Sequence, residues 1–242
     1  MDITIEPLGD LAIRICFGEE ISESIHKRIH QFTSMLDVSK IHGIVEWVPA
    51  YNAVAIYYHP EMISYQKLVD TVKKIYYTST NVNPLQSIVY EIPVYYGGKT
   101  GEDLPFIAQY HQLREEEVIA LHANKEYLIY MMGFVPGFPY LGGISQKLAV
   151  PRLDHPRPRV LAGSVGIGGN QTGIYPSEVP SGWRIIGRTP VKLFDIDNPN
   201  PILLSAGNYI KFSPIEWNEY EKINHLATEK KYKVTTYVKG EG

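Results

Sequence analysis

Three segments in the second half of this 242-residue chain concentrate side chains able to grip, orient or protonate a ligand. The first is PRLDHPRPR, Pro151 to Arg159. It gathers Arg152, Arg157 and Arg159 around His155, with Asp154 as the one acid among them. A guanidinium presents a planar fork of N–H donors that fits a carboxylate or a phosphate. Histidine is the side chain whose ordinary pKa suits proton transfer near neutrality, which makes His155 the candidate proton carrier. The plainer alternative is a solvated basic loop whose arginines pair with acids elsewhere. The second segment is AGSVGIGGNQTGIYP, Ala162 to Pro176, with five glycines. Ser164, Gly166, Gln171, Thr172 and Tyr175 could line a site that approaches bare backbone N–H groups. The alternative is a tight hairpin whose glycines serve turns and bulges. Arg188, in GWRIIGRTP just beyond, either adds to the cationic site or ends a strand. The third segment is GFVPGFPYLGG, Gly133 to Gly143. Its four glycines and two prolines exclude a regular helix or a central strand. Phe134, Pro136, Phe138, Pro139 and Tyr140 could form a stiff aromatic face for a partner. They could equally be a loop covering one end of a barrel.

Familiar signatures fail on spacing. No Gly-Lys-Ser/Thr follows the glycines of 162–176, so they form no P-loop. Gly166, Gly168 and Gly169 are wrongly spaced for a dinucleotide fingerprint, and the residues after them cannot open a helix. Ser164 lacks the helix that a nucleophile elbow requires. The eight histidines show no HExxH pairing and have no cysteine partners, so no metal site is expected. His26 and His30, four apart on one helix face, are expected to be solvated. Cys16 is the single cysteine and reads as structural or exposed.

Bulk composition narrows the classes. Hydrophobic residues make up 44% and charged residues 20%, an ordinary globular balance. A net charge of -3 provides no general field for nucleic acid or anionic lipid, so neither is an expected partner. One cysteine fits a reducing compartment. The opening residues carry no basic and apolar leader, and no apolar run approaches the ~20 residues of a membrane span. The expected location is cytoplasmic.

The elements that must position these segments fall into two parts. Residues 1–77 predict a compact α/β unit. A hairpin turns at Leu8-Gly9-Asp10, because apolar residues alternate on both sides. A helix follows with Ser22 as N-cap and Ile21, Ile25, Ile29, Phe32 and Leu36 on its buried face. Two more strands precede a second helix, capped by Ser64 and burying Tyr65, Leu68, Val72 and Ile75. Residues 78–87 read as a polar linker. From residue 88 to 215, strand-like runs at 88–95, 126–132, 160–167, 183–187, 191–196 and 202–212 predict a β-barrel or sandwich, with one helical insertion at 103–122. The tail, 216–242, predicts a helix and then a Lys-rich edge strand.

Taken together, GF-x-PGF-x-YLGG, PR-x-x-x-PR-x-x-x-AGSVGI-x-G-x-QTGIYP and GW-x-x-IGRTP resemble the allophanate hydrolase subunit 1 family, which includes KipI-type proteins. The likeness runs from Pro7 to Ile215. It implies an α+β architecture, with an N-terminal ferredoxin-like α/β sandwich followed by a cyclophilin-like β-barrel. It also implies a role in an ATP-dependent 5-oxoprolinase complex, with subunits A and C as partners and ATP, with Mg, as co-substrate. Similar proteins inhibit a sporulation sensor histidine kinase, and a purely scaffolding role beneath the C subunit is a further alternative. Two positions depart from the family pattern, Ser181 in place of Gly and Leu161 in place of Pro. On the enzyme reading His155, Arg157 and Arg159 are catalytic. Arg152, Ser164, Gly166, Gln171, Thr172, Tyr175 and Arg188 bind substrate or phosphate. Replacing Arg157 with Ala is then expected to lower activity without unfolding the chain.

Overall fold

The computed structural model describes residues 2–78 and 86–240, so most of the expected linker, 79–85, lies outside the described residues. The chain divides into two compact units, 1–85 and 86–242. In the first, β1 (Thr4–Pro7) and β2 (Ala12–Cys16) form the expected hairpin, α1 (Glu23–Ser39) follows, and β3 (Ile44–Pro49), β4 (Ala53–Tyr58) and α2 (Tyr65–Thr78) complete the unit. The antiparallel sheet has the order β1-β2-β4-β3. Its chain order, β-β-α-β-β-α, differs from the β-α-β-β-α-β order of a ferredoxin-like unit. Ser22 caps α1, its Oγ accepting from the Ile25 N–H at 3.3 Å. Period-two alternation puts Ile13, Ile15, Val54 and Ile56 on one sheet face, where they share a core with Ile29, Phe32, Leu68 and Val72 of the helices. Burying each such side chain is worth roughly 1.5–3 kcal/mol. Three expectations are corrected. Ile21 precedes the N-cap and is exposed, Tyr65 is exposed at the start of α2, and His26 is buried rather than solvated.

The second unit is a barrel. Its strands are β5 (Ile88–Tyr96), β6 (Glu126–Met132), β7 (Pro139–Leu141), β9 (Ser164–Gly168), β10 (Gln171–Ile174), β12 (Arg184–Arg188) and β13 (Tyr209–Pro214). They run in the order β12-β9-β10-β7-β6-β13-β5, and pairing of β12 with β5 closes the ring. Ile92, Val94, Tyr127, Val165, Ile167, Ile186 and Phe212 fill its interior. Two helices, α3 (Leu104–His111) and α4 (Glu115–Ala123), occupy the insertion; the single expected helix breaks at Gln112, whose φ is +56°. A separate ribbon of β8 (Arg157–Val160) and β11 (Val179–Ser181) lies outside the barrel. The tail forms α5 (Trp217–Thr228) and β14 (Thr236–Val238), which pairs with the edge of β5 as its Lys-rich sequence predicts.

Three expected strands change. The run 160–167 is split where the chain turns at Gly163, with φ +82°. A Cβ at Gly163 would lie 2.4 Å from the Thr189 carbonyl oxygen, so only glycine fits this turn. Residues 191–196 form no strand; Pro199 and Pro201 lack ladder donors, and the strand pairing of the segment is reduced to an isolated Phe194–Ile202 bridge. The last strand begins at Tyr209 rather than at 202, after Gly207 with φ +85°.

Candidate functional site: a cationic cavity on the outer wall of the barrel

The site is built by a β-bulge. In β12, Ile185 opposes Gly166 and Arg188 opposes Ser164, with one extra residue in the register between Ile185 and Gly187. Plain alternation would place Ile186 and Arg188 on one face. The bulge breaks that pattern. Ile186 enters the barrel core, while Arg188 joins Ile185 and Ser164 on the outer face. The bulge is fixed from outside by the loop after β5. The Gly97 N–H donates to the Ile186 carbonyl at 3.0 Å, and the Asp103 N–H donates to that of Ile185 at 2.9 Å.

A cavity of about 180 Å³ opens between this wall, the 97–103 loop and the ribbon. Lys99 and Thr100 line it from the loop, Arg157 and Arg159 from β8, and Ser164 and Arg188 from the barrel wall. These cations are not equivalent. Arg157 Nε pairs with Glu102 at 2.9 Å and its Nη2 pairs with Asp103 at 2.9 Å. Asp103 also approaches Arg184 at 3.6 Å and accepts from the Ile185 N–H at 2.6 Å. It stands at the N-cap position of α3 yet makes no capping bond, because its carboxylate is committed to this brace. Arg159 pairs with Glu178 at 2.7 Å. Arg188 donates from Nε to the Ala162 carbonyl at 2.8 Å, and Lys99 makes no ion pair among the described residues.

The remaining expected site residues separate. His155 is exposed and does not line the cavity. Arg152 lies over the Trp183 ring at 5.7 Å. Gly166 and Gly173 are paired in the β9–β10 hairpin, so their backbone serves the ladder. A Cβ on Gly168 would stand 2.4 Å from the Trp183 indole, so the glycine there makes room for the ring. Gln171 begins β10 at the hairpin turn. Tyr175 is buried beside Phe138 and Trp183 in a cluster outside the barrel. Its hydroxyl shares a 2.6 Å hydrogen bond with Ser181, and burial pushes its pKa up to about 12. Of the aromatic loop, Phe138 and Pro139 are buried, Tyr140 is half-buried, and Pro136 and Phe134 are exposed. Phe134 is 61% exposed at a φ of +63°.

Thr172 points into the barrel. Its Oγ1 donates to the Gly166 carbonyl at 3.0 Å and therefore accepts from His122 Nε2–H at 2.8 Å. His122 Nδ1 then accepts from the Tyr96 hydroxyl at 2.8 Å. Burial lowers the His122 pKa to about 3, so the ring is neutral. Neither Tyr96 nor His122 stands out in the sequence, since a core histidine carries no local motif. Lys99 does have a signal: Gly97-Gly98-Lys99-Thr100, directly after β5, is half of a phosphate-loop pattern lying outside the glycine-rich segment. Among the described residues no cluster of three or more His, Cys, Asp or Glu could hold a metal ion, and no helix is long and apolar enough to cross a membrane.

Relatives match along most of this architecture. The family described as carboxyltransferase domain, subdomain C and D, matches residues 3–204. The B subunit of the 5-oxoprolinase of Bacillus subtilis (strain 168) is 41% identical over 226 residues, spanning 89% of this chain and 94% of the relative. That of Haemophilus influenzae is 38% identical, spanning 87% and 97%. The crystal structure of TTHA0988 superposes with a TM-score of 0.75 at 36% identity, covering 85% of this chain; this chain spans 40% of that longer one. The chain belongs to the carboxyltransferase domain family, subdomain C and D.

Proposed function

We propose that this chain is the B subunit of an ATP-dependent 5-oxoprolinase, a heteromeric amide hydrolase that opens 5-oxo-L-proline to L-glutamate while hydrolysing ATP. The observation that carries the reading is the 41% identity to a 5-oxoprolinase B subunit across 94% of that relative. The cavity chemistry supports it. A lactam resists hydrolysis because its nitrogen donates electrons into the carbonyl. Transfer of the γ-phosphoryl group to the oxygen, with ADP leaving, removes that donation. Water then adds to the carbon, the C–N bond breaks as the nitrogen takes a proton, and the resulting acyl phosphate is hydrolysed to carboxylate and phosphate. Phosphoryl transfer is catalysed chiefly by positioning and by fixed positive charge. Arg188 and Lys99 supply that charge here, and Arg157 holds the cavity wall in place through Asp103. Since His155 lies outside the cavity lining, it could move a proton only for a substrate seated on its own loop.

On this reading the companion chains are subunits A and C, the chain alone is inactive, and the complex works in the cytoplasm. The second unit is the cyclophilin-like domain of this reading, and the first keeps the four-stranded antiparallel sheet and two helices of a ferredoxin-like sandwich in a different chain order. The exposed Phe134, held at a positive φ that an aromatic residue rarely adopts, supports docking of this loop against the C subunit. The test is reconstitution with purified A and C subunits, following ADP and glutamate formed from 5-oxoproline. Activity that requires all three chains is expected. An inactive mixture of folded chains overturns the reading.

A further inference from the structure

We propose that the cavity beside Arg188 is a phosphate site, built for a dianionic tetrahedral group and not for the carboxylate of a substrate. The inference rests on the oxoprolinase reading only for the source of the phosphate, either the phosphoryl end of a nucleotide or free inorganic phosphate. The charge balance calls for a dianion. Every acid at the cavity is already committed. Glu102 and Asp103 hold Arg157, and Glu178 holds Arg159. That leaves Lys99 and Arg188 as two positive charges with no acid partner among the described residues. One carboxylate neutralises one such charge, whereas a phosphate dianion neutralises both.

The donors converge in the same place. Arg188 spends its Nε on the Ala162 carbonyl, which orients the guanidinium and leaves the two terminal amino groups for a ligand. Ser164 is its cross-strand partner, so the two side chains share a face. Ser164 is only 5% exposed and lines the cavity, yet its hydroxyl has no protein hydrogen-bond partner among the described residues. No fully enclosed side-chain N or O atom among the described residues lacks a partner, so this hydroxyl is open to the cavity and free to meet a ligand or solvent. Lys99 sits on a turn whose Gly97 and Gly98 have φ of +71° and +53°. Thr100, beside it, spends its hydroxyl on the Tyr95 and Gly97 carbonyls at 3.2 and 3.0 Å. The turn thus offers the lysine as a point charge while the threonine stays structural, unlike a P-loop, where the threonine faces a metal ion.

The size of the cavity fits a small anion. At about 180 Å³ it is smaller than the roughly 300–1,000 Å³ of a site for a whole drug-sized molecule. It accepts a phosphate group, with any nucleoside remaining outside.

The test is calorimetric titration of the full chain with inorganic phosphate, acetate, 5-oxoproline and ATP at constant ionic strength. Phosphate is expected to bind, and acetate and 5-oxoproline are not. Arg188→Gln and Ser164→Ala should each weaken phosphate binding, by about tenfold for the arginine and several-fold for the serine. Lys99→Gln should also weaken it. Lys73→Gln, which removes a charge from an exposed position on the second helix of the other unit, should not. ATP that binds and is displaced by phosphate assigns the site to a nucleotide's phosphoryl end. Phosphate binding that ATP does not contest assigns it to the free ion. The proposal is overturned if phosphate does not bind, if acetate binds as well, or if Lys73→Gln weakens binding as much as Arg188→Gln. Ser164→Ala keeps the test open should Arg188→Gln fold poorly. An active reconstituted complex whose chain binds no phosphate removes this site and leaves the oxoprolinase reading standing. Phosphate binding in an inactive complex does the reverse.

Discussion

Ser164 and Thr172 carry similar hydroxyls on adjacent strands of one wall, yet they face opposite sides of it. Thr172 looks inward. Its hydroxyl is the third member of a chain running from Tyr96 through His122 to the Gly166 carbonyl, and every hydroxyl and ring N–H donor along that chain is used. Ser164 looks outward into a cavity where two cations have no counter-charge among the described residues. A satisfied polar network in a barrel interior fixes one packing of the strands. A hydroxyl open to a cavity and without a protein partner is a place for something else to bind. Residue type does not separate the two roles. Strand alternation and one bulge do.

The comparison can be broken most forcefully at Asp103, which joins the inner wall to the outer cavity. Asp103→Asn removes the charge facing Arg157 and Arg184 and should cost about 3 kcal/mol, the scale of breaking a largely buried pair from one side. Urea denaturation checks this, and a change below about 1 kcal/mol would show the brace to be incidental. Arg157→Ala opens the same brace, so it should lower stability as well as activity, contrary to the expectation that it leaves folding intact. Next in size is a matched pair. Thr172→Val strands the His122 Nε2–H and should cost about 1–3 kcal/mol. Ser164→Ala loses no protein bond and should stay within about 0.5 kcal/mol of the parent. Equal losses in the pair would erase the distinction between the two faces.

Much of the scaffold is legible in the sequence. The Leu8-Gly9-Asp10 turn, the Ser22 cap and the helical spacing of Ile25, Ile29, Phe32 and Leu36 all act locally, and the structure realises them. The outer wall is legible only in part. Arg157, Arg159, Ser164 and Arg188 do meet at one cavity. Their standing there depends on residues far along the chain. Arg157 is neutralised by acids more than fifty positions earlier, and Arg188 is turned outward by an extra residue that periodicity cannot register. Thr172 and Tyr175 look like ligand contacts from their hydroxyls, but barrel closure and the Trp183 cluster bury both. His155 shows the converse: a suggestive neighbourhood in sequence that the loop does not carry into the cavity.

A last expected effect probes the inner chain through pH. Burial holds His122 neutral with a pKa near 3, against an ordinary value of 6.5 in the unfolded chain. Tyr96 and Tyr127, the titratable groups around the ring, are both pushed upward by burial and keep their protons throughout this range. Between the two histidine values the unfolded chain binds the extra proton, so stability falls as pH falls. The contribution is complete above about pH 6.5 and declines toward pH 3. For this one proton, going from about pH 7.5 to 5.5 should cost about 1.4 kcal/mol. Other groups titrate in the same interval, so the decisive quantity is a difference: the pH dependence of the parent minus that of His122→Gln, which lacks the proton site. A residual slope of the stated sign is expected. Parallel curves would mean that the histidine takes up its proton at the same pH in the folded barrel as in the unfolded chain, and the inner face could then no longer be described as a neutral, fully satisfied chain.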